Sequence, residues 1–196
     1  FTEPLAAALE IQQQVQIHPT DRVLLIGAGR LGQLIAQTLA LTGCDLRVVA
    51  RHTHQKSLLT GRGIRLIDEA DVQRWRYDLV VEATGSPSGF ELARRALRPR
   101  GVLVLKSTYK GDMTANFSSI VVDEIQIVGS RCGPFEPALH RLRGLRAAAP
   151  VHRDLREEVR HPLQLDPAAE GADYYAAYLR NPPVLGLTAV LSGVQG

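Results

Sequence analysis

The chain has 196 residues, a net charge of +3 and 45% hydrophobic residues, which is typical of one globular domain with an appendage. It contains no apolar run long enough to span a bilayer and no signal-peptide pattern, so we expect a cytoplasmic protein that does not bind membranes. Arginine residues cluster on predicted helix faces without interleaved aromatic residues, which argues against nucleic-acid binding.

Apolar periodicity predicts helices and strands in alternation. The predicted strands are 22–27, 46–50, 64–67, 77–83, 101–105 and 123–129, and the predicted helices are 4–17, one ending near 43, 51–60, 68–74, 88–97 and 134–145. This order favours an α/β Rossmann fold, a doubly wound parallel sheet with helices on both faces. We expect a lead-in helix within 1–17, a nucleotide-binding domain over 18–146, and a C-terminal strand-helix-strand extension over 147–196.

Three glycines spaced G-x-G-x-x-G directly follow the first predicted strand and open a helix. In that context the spacing is typical of a dinucleotide-binding turn, whose free N–H groups and helix dipole attract a pyrophosphate. A purely structural glycine turn is the alternative. The predicted cofactor-binding residues of this turn are Gly27, Ala28, Gly29, Arg30, Leu31 and Gly32.

The end of the second predicted strand decides which dinucleotide is preferred. An acidic residue there would bind the ribose 2′-OH of NAD. The chain instead has Ala50 followed by Arg51, which leaves room for a 2′-phosphate and offers it a planar cation. We therefore favour NADP over NAD, and the alternative is that Arg51 is a solvated loop residue with little effect on selectivity.

Two further stretches follow strands at the carboxyl edge of the predicted sheet, where open α/β sheets bind their ligands. Ala83, Thr84 and Gly85 follow the fourth predicted strand, and Lys106 follows the fifth. We predict that all four contact the cofactor. The simpler alternative is that residues 83–85 form an ordinary turn before the next helix.

Several short motifs narrow the choice of family. They are Thr2-Glu3-Pro4-Leu5-Ala6, Val81-Glu82-Ala83-Thr84-Gly85-Ser86, Gly101-Val102-Leu103-Val104 and Ile127-Val128-Gly129-Ser130. With the glycine turn, they resemble the medium-chain dehydrogenase/reductase superfamily, in its zinc-dependent alcohol, sorbitol and glucose dehydrogenase branch. The resemblance covers most of the chain and is strongest over residues 2–142.

The resemblance implies an oxidoreductase that moves hydride between NAD(P) and a small alcohol or carbonyl substrate. It implies a preceding GroES-like catalytic domain that supplies most zinc ligands, with Glu3 as a residue of the zinc site. It also implies that residues 83–85 border the nicotinamide-side ribose and that a homodimer forms through the sheet edge at 125–129. A regulatory nucleotide-sensing module, or a methyltransferase, would instead favour an acid after the second strand.

Overall fold

The computed structural model describes residues 2–140, in which helices and parallel strands alternate. The helices are α1 (Thr2–Gln14), α2 (Arg30–Ala40), α3 (Thr53–Thr60), α4 (Pro87–Ala96) and α5 (Phe117–Val122), with a short 3-10 helix at Glu69–Asp71. The strands are β1 (Arg22–Ile26), β2 (Asp45–Val49), β3 (Tyr77–Glu82), β4 (Leu97–Leu105) and β5 (Gln126–Gly129). Residues 135–140 are also helical, and no helix of the described residues could cross a membrane. The predicted C-terminal extension lies outside these residues.

The five strands form one parallel sheet in the order β2-β1-β3-β4-β5. The chain moves outward from β1 to β2, then crosses back to place β3 on the other side of β1. This reversal is the topological switch point at which α/β sheets open a crevice at the carboxyl ends of their strands. The predicted Rossmann fold is confirmed for the described residues.

Both faces of the sheet are covered by helices, because successive residues of a strand point to opposite sides. Val23 and Leu25 of β1 are buried in a cluster that includes residues of α1, α2 and α3. Leu24 and Ile26 of the same strand are buried in a second cluster that includes α4. The near-continuous apolar run of β1 is therefore explained by burial on both sides.

Several predicted elements differ from the structure, and the predicted helix 68–74 is reduced to the 3-10 helix Glu69–Asp71. The predicted strand 64–67 is reduced to one parallel bridge between Leu66 and Val48 of β2. The N–H of Ile64 is already used by the Leu59 carbonyl at the end of α3, so the segment pairs only briefly. Helix α5 was missed, and the last strand begins at Gln126 rather than at residue 123, because residues 123–125 return their N–H groups to α5.

Asp78, near the start of the central strand β3, ties three strands together at the amino edge of the sheet. Its Oδ2 accepts hydrogen bonds from the backbone N–H and the Nε of Arg22, at 2.8 and 3.0 Å. Its Oδ1 accepts one from Arg98 Nε of β4, at 2.6 Å. Partial burial alone would raise the pKa of Asp78, but the two arginines hold that pKa far below its ordinary value.

We expect Asp78→Asn to lower the free energy of unfolding by about 1–2 kcal/mol at pH 7, since both arginines are partly exposed and retain water. A lowered folded-state pKa stabilises the fold above the unfolded-state pKa, about 4, and this contribution fades as pH falls through the range below it. Urea unfolding of both proteins from pH 7 to pH 3 checks this. A stability difference that stays constant or grows below pH 4 would contradict it.

Candidate dinucleotide-binding site

A cleft of about 250 Å³ opens at the carboxyl ends of β1, β2 and β3, at the switch point of the sheet. It is lined by Ile26, Gly27, Ala28, Gly29, Val49, Arg51, His52, Gln55, Glu69, Ala83 and Thr84. Residues from three βα turns and from the 3-10 helix are thus brought together around one space. Six of the predicted cofactor-binding residues line it: Gly27, Ala28, Gly29, Arg51, Ala83 and Thr84.

The three glycines of the turn have different surroundings. Gly27 has φ +101°, and a Cβ there would lie 2.9 Å from the carbonyl oxygen of Ala83. A Cβ on Gly32, in the first turns of α2, would collide with the carbonyl oxygen of Gly27. These two glycines are therefore required by the packing of strand, turn and helix.

Gly29 differs, because a Cβ built on it meets no atom of residues 2–140 within 4 Å. It is the N-cap of α2 and makes no side-chain cap, so the first N–H groups of the helix face this open space. An anion is attracted to such a helix start. The open space above Gly29 fits a pyrophosphate, and neither a close contact nor a positive φ requires a glycine at this position.

The two other predicted residues of the turn lie beside the cleft without lining it. Arg30 is exposed at the first position of α2. Leu31 is half-buried and packs against the cluster beneath α1 and α2. The side chain of Gln33 braces the turn instead, donating from Nε2 to the carbonyls of Ala28 and Gln55 at 3.2 Å each.

The segment after β2 begins with Ala50, which is buried, and Arg51, which is exposed. Arg51 Nη2 lies 3.5 Å from Glu69 Oε2, and both groups line the cleft. Beside them, Lys56 Nζ donates to Asp68 Oδ1 at 2.7 Å. Two ion pairs therefore join the β2–α3 region to the 68–71 segment at one wall of the cleft.

Glu82, the last residue of β3, is fully buried and braces the neighbouring turn. Its Oε1 accepts hydrogen bonds from the backbone N–H of Thr84, at 2.6 Å, and from the Thr84 hydroxyl. Its Oε2 accepts one from the hydroxyl of Tyr109, at 2.5 Å. Burial, followed by the hydrogen bond to Glu82, raises the pKa of Tyr109 well above its ordinary value.

This carboxylate holds two loops at once, the 83–85 turn that lines the cleft and the loop after β4 that carries Tyr109. Gly85 completes the turn with φ +66°, and its backbone packs against the Thr108 carbonyl, only 2.8 Å from where a Cβ would stand. A buried carboxylate is stable only when hydrogen bonds satisfy it. Glu82 therefore fixes the position of the 83–85 turn.

Lys106 is buried but does not line the cleft. Its Nζ donates to Ser130 Oγ at 3.0 Å and to the carbonyl of Cys132 at 3.5 Å. Burial lowers the pKa of Lys106, opposed by the carboxylates of Glu10 and Glu3. Lys106 thus connects β4 to the 130–132 segment, and its predicted contact with the cofactor stays a prediction.

Glu3, the predicted zinc-site residue, lies in the first turn of α1 and is half-buried. Within the described part of the chain, no group of three His, Cys, Asp or Glu side chains could hold a metal ion. Glu3 therefore has no partner set of ligands among residues 2–140, and its role at a zinc ion stays a prediction.

Two residues of this region were missed by the sequence reasoning. Glu82 had a visible signal, since it directly follows the apolar run Leu79-Val80-Val81, and a buried carboxylate there requires hydrogen-bond donors around it. Glu69 had none, because it comes from an irregular segment eighteen positions after Arg51 and reaches the cleft only through the fold.

Comparison with known proteins gives relatives that are dehydrogenases. The chain is 32% identical over 148 residues to D-arabinitol dehydrogenase 1 of Uromyces fabae, covering 66% of this chain and 42% of that enzyme. It is 33% identical over 162 residues to glucose 1-dehydrogenase 2 of Vulcanisaeta moutnovskia, covering 73% and 47%. The chain thus spans less than half the length of these relatives. No protein-family model matches it.

Solved structures of dehydrogenases share the fold. The 2R,3R-butanediol dehydrogenase of Bacillus subtilis superposes with a TM-score of 0.66 at 19% identity, covering 73% of this chain and 45% of that one. Two further structural neighbours are named as zinc-binding dehydrogenases. Together with the sugar and sugar-alcohol dehydrogenases among the curated relatives, they confirm the resemblance predicted from the sequence, and this chain corresponds to a Rossmann-type portion of such enzymes.

Proposed function

We propose that this chain is the cofactor-binding portion of a zinc-dependent alcohol dehydrogenase-like oxidoreductase. The observation that carries the proposal is the cleft at the switch point, where Gly29 and the start of α2 leave an open space for a pyrophosphate. The dehydrogenase relatives support a nicotinamide dinucleotide as the ligand. When bound, its nicotinamide exchanges hydride with the carbon of a small alcohol or carbonyl substrate.

NADP is the preferred dinucleotide in this proposal, with NAD as a second ligand. Ala50 is small and Arg51 is exposed on the cleft wall, so a 2′-phosphate has both room and a cation. Among the relatives, L-idonate 5-dehydrogenase of Escherichia coli is named for both NAD and NADP. Solved structural neighbours include one bound to NADP and one in complex with NAD.

The nicotinamide half of the cofactor extends along the 83–85 turn in this proposal. Glu82 is a positioning residue there, since its carboxylate holds Thr84 and, through Tyr109, the loop after β4. Lys106 lies at the same edge of the sheet, two strands from β1, and we retain it as a residue of the nicotinamide side. Its buried ammonium keeps the 130–132 segment next to β4.

Zinc belongs to the proposed whole enzyme, with Glu3 as one residue of its site. A zinc ion held there in the whole enzyme would supply Lewis-acid polarisation of the substrate oxygen. Glu3 sits at the start of α1 and is close enough to Lys106 to influence its pKa. No suitable group of metal-ligating side chains occurs within residues 2–140. The proposal therefore assigns the remaining zinc ligands to other parts of the whole enzyme.

A homodimer through the β5 edge is also part of the proposal. Among the described residues, β5 is the last strand on its side of the sheet. Ile127 on that strand is 38% exposed, and the neighbouring α5 exposes Phe117, Val121 and Val122. An unpaired strand edge beside exposed apolar side chains favours pairing with another chain.

The first of three predictions from the proposed function concerns Arg51. In calorimetric titration, we expect Arg51→Ala to weaken NADPH binding by about tenfold, because a charge-assisted contact to the 2′-phosphate is lost. NADH binding should change by less than about twofold, since NADH lacks that phosphate. Equal losses for both dinucleotides would contradict the assignment of Arg51 to the 2′-phosphate.

The second prediction separates a binding turn from a structural one. Gly29→Val places its Cβ in the open space, where no atom beyond the chain neighbours of Gly29 lies within 4 Å, and keeps an extended backbone, φ −65° and ψ −173°, so it should cost at most about 1 kcal/mol of stability at the helix cap. We expect it to abolish NADPH binding. Gly129→Ala, also free of clashes but outside the cleft, is the control and should bind normally. Normal binding by both variants would mean that the turn is only scaffold.

The third prediction concerns assembly. We expect light scattering to give about twice the chain mass of 21.4 kDa, and Ile127→Lys to shift the protein towards the monomer, because a lysine on a strand edge opposes pairing. Leu41→Lys, at another exposed apolar side chain on the C-cap of α2, is the control and should leave the dimer intact. A wild-type monomer at high protein concentration would contradict the proposal.

A further inference from the structure

We propose that Glu69 sets the balance between NADP and NAD by competing with the 2′-phosphate for Arg51. This inference rests on the proposed dinucleotide-binding function and adds a specificity-determining residue to it. Its basis is the ion pair across the cleft wall, where Arg51 Nη2 lies 3.5 Å from Glu69 Oε2 and both side chains line the same cleft.

Glu69 is held at this wall by its neighbours. It opens the 3-10 helix Glu69–Asp71, and the preceding residue, Asp68, is tied to α3 through Lys56 at 2.7 Å. The 64–67 segment just before it bonds to β2, with Ile67 N–H donating to the Val48 carbonyl at 3.0 Å. The carboxylate of Glu69 is therefore presented to the cleft by a segment that is anchored on both β2 and α3.

Glu69 supplies the acid that is absent after β2. A carboxylate at this wall can accept a hydrogen bond from a ribose 2′-OH, which is the interaction that an acid after the second strand makes in NAD-binding Rossmann folds. The sequence after β2 carries the cation for NADP, and a different element carries the acid for NAD. The cation and the acid that would distinguish NADP from NAD therefore lie on two segments that meet only in the folded protein.

The two ligands place opposite demands on this pair. NAD leaves the Arg51–Glu69 pair intact, because a hydroxyl can bond to the carboxylate while Arg51 keeps its partner. A 2′-phosphate, with a charge of about −1.5 to −2 at pH 7, must take Arg51 from Glu69 and then lie near a carboxylate. Glu69 therefore favours NAD and penalises NADP, while Arg51 favours NADP and has little effect on NAD.

The exchange is feasible because the pair is weak. The side chains of Arg51 and Glu69 are 61% and 45% exposed, and ion pairs so accessible to water contribute little to stability. A doubly charged phosphate with three acceptor oxygens is a stronger partner for a guanidinium than one solvated carboxylate. The arrangement thus gives a site that accepts both dinucleotides, with a preference that one side chain can shift.

The experiment uses the full chain and two probes that differ only in the 2′-phosphate, adenosine 2′,5′-bisphosphate and adenosine 5′-monophosphate. These probes occupy only the adenosine side of the cleft. Calorimetric titration with the wild type, Glu69→Gln, Arg51→Ala and the double variant gives a complete cycle. Glu124→Gln is the control, because it alters another exposed ion pair, Arg100–Glu124 at 3.3 Å, that does not line the cleft.

We expect Glu69→Gln to tighten binding of the bisphosphate by roughly five- to tenfold and to weaken binding of the monophosphate by roughly two- to threefold. In the Arg51→Ala background, Glu69→Gln should increase the affinity for the bisphosphate by at most half of the fold-change seen in the wild type. The reason is that no Arg51 remains to be released from Glu69. Glu124→Gln should leave the ratio of the two affinities unchanged.

A ratio of affinities that is unaltered in Glu69→Gln overturns the inference, and so does an equal gain in both Arg51 backgrounds. In either case measurable binding of the probes leaves the proposed function standing. Failure of both probes, NADPH and NADH to bind any variant overturns the proposed function and the inference together. A stability check by thermal unfolding accompanies each titration, and Glu69→Gln should unfold like the wild type because its pair is exposed.

Discussion

The close approach of backbone to backbone at the carboxyl edge of the sheet is the constraint on which the rest of the structure depends. Gly32 of α2 lies against the carbonyl of Gly27, and Gly27 lies against the carbonyl of Ala83 in the neighbouring turn. Gly89 of α4 adds a close approach of backbone to side chain, because a Cβ there would meet Thr84 Oγ1. These contacts seat two helices on opposite faces of the sheet and leave the cleft between their turns.

The central strand β3 is fixed at both ends by an acid, but by different chemistry at each end. Asp78 at the amino edge pairs with arginines of β1 and β4 that remain partly in water. Glu82 at the carboxyl edge is fully buried and is satisfied by the backbone and hydroxyl of Thr84 and by the hydroxyl of Tyr109. The first arrangement aligns strands, and the second aligns the loops that face the cleft.

The parts that the sequence could predict are those set by local patterns. The glycine spacing between an apolar strand and a periodic helix predicted the turn, and the apolar runs of β1 and β3 predicted buried parallel strands. The predicted strand 64–67 failed because a short apolar run reports burial rather than pairing, and its first N–H closes α3 instead. Helix α5 was missed because Phe117, Val121 and Val122 are exposed and show no inward-facing period.

The acid at the cleft wall, Glu69, could not be predicted from the sequence. Arg51 could be predicted because the position after the second strand has a known place in this fold, whereas Glu69 belongs to an irregular segment whose path depends on α3 and β2 together. The residues after β2 alone predict a cationic site, which would prefer NADP. With Glu69 included, the same wall carries one positive and one negative group 3.5 Å apart. Because a phosphate and a hydroxyl make opposite use of such a pair, the proposed discrimination between NADP and NAD depends on a balance of two solvated charges rather than on the presence of one residue.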